Sequence, residues 1–161
     1  MELRTLTDNV GLVRAVQKLN LGILPVQPPA FCYRRAEKDT HHLSWATISD
    51  QCTVSGALIA DLELDSRNGQ RTVQLRTLVV LAQYRRQGIG TQLVQKVIEQ
   101  AKNAETRDGE NIAAIRLHVH AGNVEAIAFY KALGFVKTAQ VENYYRHLEL
   151  RTAFVMEYAL H

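Results

Sequence analysis

Apolar residues recur along this chain with two periods, and the order in which those periods alternate predicts a sheet interleaved with helices. Residues 3–6 predict a short first strand. Thr7 or Asp8 then offers an N-cap side chain to a helix over residues 10–19, in which Val13, Val16 and Leu19 recur at helical spacing. Pro25, Pro28 and Pro29 follow. Their missing N–H donors and fixed φ angles break regular structure and predict a shaped loop, then a short helix ending near Glu37. Residues 43–49 and 54–64 are strand-like runs joined by a polar turn, which predicts a hairpin. Asp65-Ser66-Arg67-Asn68-Gly69 reads as a second turn, and residues 72–81 as a third long strand whose end, Leu78-Val79-Val80-Leu81, is wholly apolar.

The second half begins with a longer period. Ile89, Leu93, Val97 and Ala101 fall four apart, and Val94 with Ile98 widens the stripe, predicting an amphipathic helix that reaches Ala104. Over residues 112–120 the period returns to two: Ile115, Leu117 and Val119 share one face, Arg116, His118 and His120 the other. Asn123 is placed to cap a short helix through Ala132, with Glu125 near its positive dipole end and Gly134 to end it. Two last strands, 135–141 and 151–160, flank a loop containing Tyr144 and Tyr145. The predicted architecture is α/β, a mixed sheet covered by helices in one domain spanning residues 1–161.

Composition narrows the classes. With 161 residues, 47% hydrophobic and 22% charged, the chain has the makings of one globular core and not of a disordered or fibrous protein. A net charge of +3 is compatible with an anionic ligand, but no Lys/Arg run marks a nucleic-acid patch. Cys32 and Cys52 lack zinc-ligand spacing and are expected as reduced thiols; His118 and His120 share a face but have no third ligand, so no metal is expected. The start, Met1-Glu2-Leu3-Arg4, lacks the apolar core of a signal peptide and no apolar run would span a bilayer; the expected location is the cytoplasm, with the nucleus as alternative.

The chemistry concentrates where the third strand meets the long helix, at Arg85-Arg86-Gln87-Gly88-Ile89-Gly90 followed by Thr91. A helix start leaves backbone N–H groups unpaired and adds the positive end of the dipole, glycines let a phosphate approach those amides, and arginines add charged donors. Such a junction suits a diphosphate. It lacks the Lys-Ser/Thr of a P-loop and the full dinucleotide fingerprint. Downstream, Asn123, Ala126, Tyr130, Gly134 and Phe135 follow at Asn-x-x-Ala-x-x-x-Tyr-x-x-x-Gly-Phe spacing, which puts Ala126 and Tyr130 one turn apart on one helix face.

The turn resembles the Q/R-x-x-G-x-G/A acetyl-CoA motif of the GNAT acetyltransferases, and the segment 123–135 resembles their second cofactor-side motif. The resemblance implies the GNAT fold, a mostly antiparallel mixed sheet of about seven strands with about four flanking helices. It implies acetyl-CoA as acetyl donor without a metal, its pyrophosphate on residues 85–91, its pantetheine along Leu78, Val79 and Val80, Asn123 and Ala126 beside it, and Tyr130 near the thioester sulfur as an acid. Leu24-Pro25-Val26, residues 84–91, Leu117-His118-Val119 and Asn143-Tyr144-Tyr145 look like the NatE catalytic subunits, the San-type protein N-alpha-acetyltransferases of this family. That implies a peptide or nascent-chain N-terminus as substrate, gripped by Leu24, Pro25, Val26, Pro28, Gln74, Arg76, Tyr144 and Tyr145, and a NatA auxiliary subunit on ribosomes as partner, with no membrane or direct nucleic-acid contact.

Two positions depart. Gln74 stands where those enzymes carry a catalytic tyrosine, and Pro28 where their loop has another. An amide cannot hold the proton of an attacking amine, which leaves His118 as the base. The expected chemistry is acetyl transfer to the α-amine of Met-starting chains: His118 takes the proton, an amide near Val79 polarises the carbonyl, and Tyr130 helps the thiolate leave. A weakly active or inactive acetyl-CoA-binding subunit of a NatA/NatE complex and a lysine Nε-acetyltransferase are the alternatives.

Overall fold

The structure is a computed structural model that describes residues 1–66, 68–109 and 111–161, with the backbone alone for 105–108; Arg67 of the predicted second turn lies outside the described residues. The elements run β1 (Glu2–Thr5), α1 (Val10–Ile23), α2 (Ala30–Lys38), β2 (Trp45–Ile48), β3 (Val54–Leu64), β4 (Arg71–Val80), α3 (Ile89–Asp108), β5 (Ile112–His120), α4 (Val124–Ala132), β6 (Val136–Val141) and β7 (Ala153–Ala159). A short 3-10 turn, Ala82–Tyr84, links β4 to the turn before α3.

Among the described residues the strands form one seven-stranded sheet ordered β1-β2-β3-β4-β5-β7-β6. Every neighbouring pair is antiparallel except β4 with β5. This is the mixed sheet with four flanking helices that the residue pattern and the resemblance anticipated. Strand β3 is apolar on both faces because both are covered. Leu58 and Ala60 join Leu93, Val94 and Val97 of α3 on one side, while Ala57 and Ile59 meet Val13 and Val16 of α1 and Cys32 and Tyr33 of α2 on the other. Each large apolar side chain so buried contributes about 1.5–3 kcal/mol.

The helix starts follow local chemistry. Asn9, rather than Thr7 or Asp8, caps α1, its Oδ1 accepting from Leu12 N at 3.0 Å; Asp8 is in the left-handed region with φ 57° and turns the chain there instead. Helix α1 also runs past Leu19 to Ile23, its end tied by Leu24 N donating to Asn20 O. Asn123 caps α4 as expected, accepting from Ala126 N at 3.1 Å, and Gly134, with φ 103°, ends it. Helix α3 differs. Its N-cap is Gly88, no side chain caps it, and its first turn holds no acidic residue.

Candidate active site

Strands β4 and β5 pair from Arg71↔Ile112 to Gln74↔Arg116 and then part. Beyond that point β4 stays with β3, as in Leu78↔Leu58, and β5 stays with β7, as in His118↔Val155. The β4 edge from Leu75 onward therefore turns backbone donors and acceptors into a gap where no strand meets them, the arrangement that takes an extended ligand as an added strand. Opposite Ile59 and Ala60 the β4 register skips Arg76, a bulge that turns Leu78 and Val80 onto the α3 face already occupied by Val73 and Leu75.

The gap opens into a groove of about 430 Å³. Leu24, Pro25, Val26 and Pro28 border it from the α1–α2 loop, Gln74, Arg76 and Leu78 from β4, His118 from β5, Asn123, Ala126 and Tyr130 from the α4 region, and Tyr144 and Tyr145 from the β6–β7 loop. Residues more than 100 positions apart thus converge on one channel, as their separate motifs required. Val79 is buried in the strand, and residues 85–91 lie at the continuation of β4, outside this groove.

At that continuation the turn presents the start of α3. The amides of Ile89, Gly90 and Thr91 begin a helix and so have no carbonyl four residues back to bind; Gln92 N, which reaches Gly88 O at 3.0 Å, is the first that does. Gly88 has φ 81° and nothing within 4 Å of where a Cβ would stand, so both its backbone angle and the open space beside it suit an approaching anion. Gly90 does something else. A Cβ there would sit 3.3 Å from Phe129 Cζ, so this glycine lets α3 pack against α4. Arg85 commits its Nε to Val80 O at 3.0 Å, which latches the turn to the strand end. Arg86 and Gln87 are exposed.

His118 is half-buried, its ring stacked on Tyr144 with centroids 4.5 Å apart and planes 4° from parallel. Burial first, and then the charges of Arg116 and Arg76, hold its imidazole below the ordinary 6.5, so it is unprotonated at neutral pH. Tyr130 is 7% exposed, and burial pushes its hydroxyl well above the usual phenol range. The same cause raises Tyr145 to about 12 and raises Tyr144. All three phenols stay protonated and so keep an O–H to donate.

Below the groove lies a charged network. Asp61, 3% exposed, accepts from Arg76 Nε at 2.9 Å and Nη2 at 3.0 Å and from Arg35 Nη1 at 3.2 Å, while Arg76 Nη2 also reaches Glu63 at 2.6 Å. Burial works against the Arg76 charge, but the bonds to Asp61 and Glu63 outweigh it and raise its pKa. Gln74 is 5% exposed and donates from Nε2 to Thr72 Oγ1 at 2.9 Å.

Comparison with known proteins follows the same lines. Residues 14–135 match the acetyltransferase (GNAT) family. This chain belongs to that family. It is 32% identical over 148 residues to the probable N-acetyltransferase san of Drosophila melanogaster, covering 92% of this chain and 76% of that protein. It is 35% identical over 97 residues to N-alpha-acetyltransferase 50 of Danio rerio, covering 60% of this chain and 55% of that one. Arabidopsis thaliana Naa50, solved with the bisubstrate analogue CoA-Ac-MVNAL, superposes with a TM-score of 0.80 at 28% identity, covering 98% and 97% of the two chains.

In this GNAT protein some site residues escaped the motifs. Asn20, fully buried, donates from Nδ2 to Tyr33 Oη at 3.0 Å and to Thr77 Oγ1 at 3.5 Å, and its carbonyl receives Leu24 N and Gln27 Nε2, so it pins the 24–28 loop to β4. An Asn at helical spacing behind an apolar stripe was the available signal. Asp61 and Arg35 carry no local signal, since their pairing arises only when α2 packs on the sheet. Of the residues assigned to substrate, Arg76 reaches the groove with its guanidinium already engaged by Asp61 and Glu63. Among the described residues no cluster of three or more His, Cys, Asp or Glu side chains could hold a metal, and no helix is long and apolar enough to cross a membrane.

Proposed function

We propose that this chain transfers the acetyl group of acetyl-CoA to the N-terminal amine of proteins, with methionine-starting chains preferred. One observation carries the reading: the splayed β4 edge, the unprotonated His118 and the protonated Tyr130 border a single groove whose other walls are an apolar loop and a tyrosine loop. The bisubstrate analogue bound by Arabidopsis thaliana Naa50, which joins CoA through an acetyl group to Met-Val-Asn-Ala-Leu, supports the donor and the methionine. The pocket walls Leu24, Pro25 and Val26 suit an unbranched apolar side chain.

In this scheme the amine nitrogen bonds to the thioester carbonyl carbon, the C–S bond breaks, and the nitrogen's proton passes to His118 directly or through a water. An α-amino group of reference pKa about 7.7–8.0 is part-neutral near pH 7, so a weak base already suffices. Tyr130 does not hand its proton to the leaving thiolate, because its raised pKa lies above that of a thiol, about 8.5. It stabilises the thiolate by donating a hydrogen bond. Gln74 positions water and takes no proton. The amides of residues 89–91 hold the diphosphate, with Arg86 and Gln87 beside them.

The test is acetylation of peptides with varied first and second residues by the purified chain, followed by thiol release and by mass spectrometric placement of the acetyl group. Turnover on Nα of Met-peptides is expected. Acetyl on lysine Nε would replace the reading with the side-chain alternative, and tight acetyl-CoA binding without turnover would make this a binding subunit. The reading extends to docking on a NatA auxiliary subunit at ribosomes, for which co-purification of the two purified subunits is the measurement.

A further inference from the structure

A run of aromatic rings follows one wall of the groove. His118 stacks on Tyr144; Tyr144 meets Tyr145 edge-on at 4.9 Å and 81°; Tyr145 meets His120 edge-on at 5.3 Å and 76°. The run ends on a directional bond, His120 Nε2 lying 2.5 Å from Leu150 O. A carbonyl only accepts, so Nε2 carries the hydrogen. His118 and His120 stand two residues apart on one face of β5, and the segment 144–150 bridges them.

Most of that segment lies outside the core. Tyr144 is 46% exposed and Leu150 47%, and Arg146, His147, Glu149 and Arg151 are exposed, while Tyr145 and Leu148 are half-buried. Its backbone ties are Tyr145 N to Arg151 O at 3.1 Å and Leu148 N to Tyr145 O at 3.3 Å, both internal to the loop; just past it, Ala121 N donates to Thr152 O at 3.0 Å where β7 begins to pair. The bond from His120 to Leu150 joins the loop to β5 two residues before that backbone tie, and so sets the course of residues 144–150.

We propose that His120 is a positioning residue for acyl transfer: by holding Leu150 it keeps the Tyr144–Tyr145 loop against β5, and through the Tyr144 stack it fixes the plane of the His118 ring. The proposal rests on the reading of His118 as base. His118 faces Arg116 on its own strand, Arg76 from β4, Glu63 from β3 and Tyr144 from the loop; the cations and burial lower its pKa and Glu63 opposes them. Releasing the loop leaves those charges in place and removes the ring that shields the imidazole from water, which raises its pKa.

Hydrogen exchange of the purified chain without substrate tests the tether by itself. His120→Ala is expected to speed exchange of the 143–151 amides by about tenfold or more, and His120→Gln, whose amide can donate to the same carbonyl, to stay near wild type. Peptide kinetics then test the consequence. His120→Ala should lower kcat by about tenfold and move the acid limb of the pH profile upward, with KM for acetyl-CoA within about twofold, and Tyr144→Ala should do the same. The double variant should be no worse than either single one, since both break one linkage. Unchanged loop exchange in His120→Ala overturns the proposal, as do losses that multiply in the double variant. If no amine is ever acetylated, the functional reading fails while the exchange result still decides the tether.

Discussion

Replacing Arg76 with leucine would strand a carboxylate. Asp61 is 3% exposed and takes two hydrogen bonds from Arg76 and one from Arg35. Breaking a buried pair from one side costs about 3–5 kcal/mol, because the remaining charge keeps its desolvation penalty. Arg35 stays, with a side chain that is 50% exposed and free to swing further over Asp61, and a charge-assisted bond recovers about 1–2 kcal/mol. The Glu63 contact, with Glu63 45% exposed, contributes at most about 1 kcal/mol. Arg76→Leu should therefore destabilise the fold by about 2–4 kcal/mol. Asp61→Leu with Arg76→Leu removes the stranded charge and should cost less than Arg76→Leu alone. Urea unfolding of the wild type, both single variants and the double variant closes the cycle, with the slope held constant as the check on two-state behaviour. A loss under about 1 kcal/mol for Arg76→Leu, or a double variant equal to the sum of the singles, would refute the buried-pair argument. The same substitution removes a positive charge near His118, so its pKa should rise.

Four other outcomes follow from the site. The acid side of kcat/KM should carry two ionisations, the substrate amine at about 7.7–8.0 and a second, from His118, below the ordinary 6.5 of histidine, and His118→Ala should remove the second and leave the first. The sign for stability is related: the unfolded chain binds the proton first, so this histidine makes the fold less stable as pH falls through 6.5, measurable as a drop in unfolding free energy that His118→Ala reduces. Tyr130→Phe should lower kcat by about 10²-fold with acetyl-CoA affinity by calorimetry unchanged, since it removes one donor to the leaving group and no packing. Gly88→Ala should cost about 1–2 kcal/mol of stability through its left-handed φ and also weaken acetyl-CoA, whereas Gly90→Ala should perturb packing on Phe129 and change cofactor affinity less.

Periodicity and caps made most of the elements legible in advance. The strand over 112–120, the stripe from Ile89 to Ala101 and the Asn123 cap depend on neighbours within a few residues, and short-range sterics and hydrogen bonding decide them before any tertiary contact forms. The glycine turn and the Tyr130 segment were readable for the same reason, each being a local spacing. What lay beyond local reach was everything set by two distant segments meeting: the parting of β4 from β5 after Gln74, the bulge at Arg76, the Asp61–Arg76–Arg35 cluster, the Asn20 pin and the hold of His120 on Leu150. Gly90 shows the boundary at one atom. A phosphate-approach role fitted the motif, but the nearest neighbour of its missing Cβ is Phe129, 39 positions on, and only the packing of α3 against α4 puts that ring there. Sequence by itself determined which residues could bind, donate or accept; tertiary structure decided which of them are already engaged, because desolvation and partner geometry exist only once the chain has closed on itself.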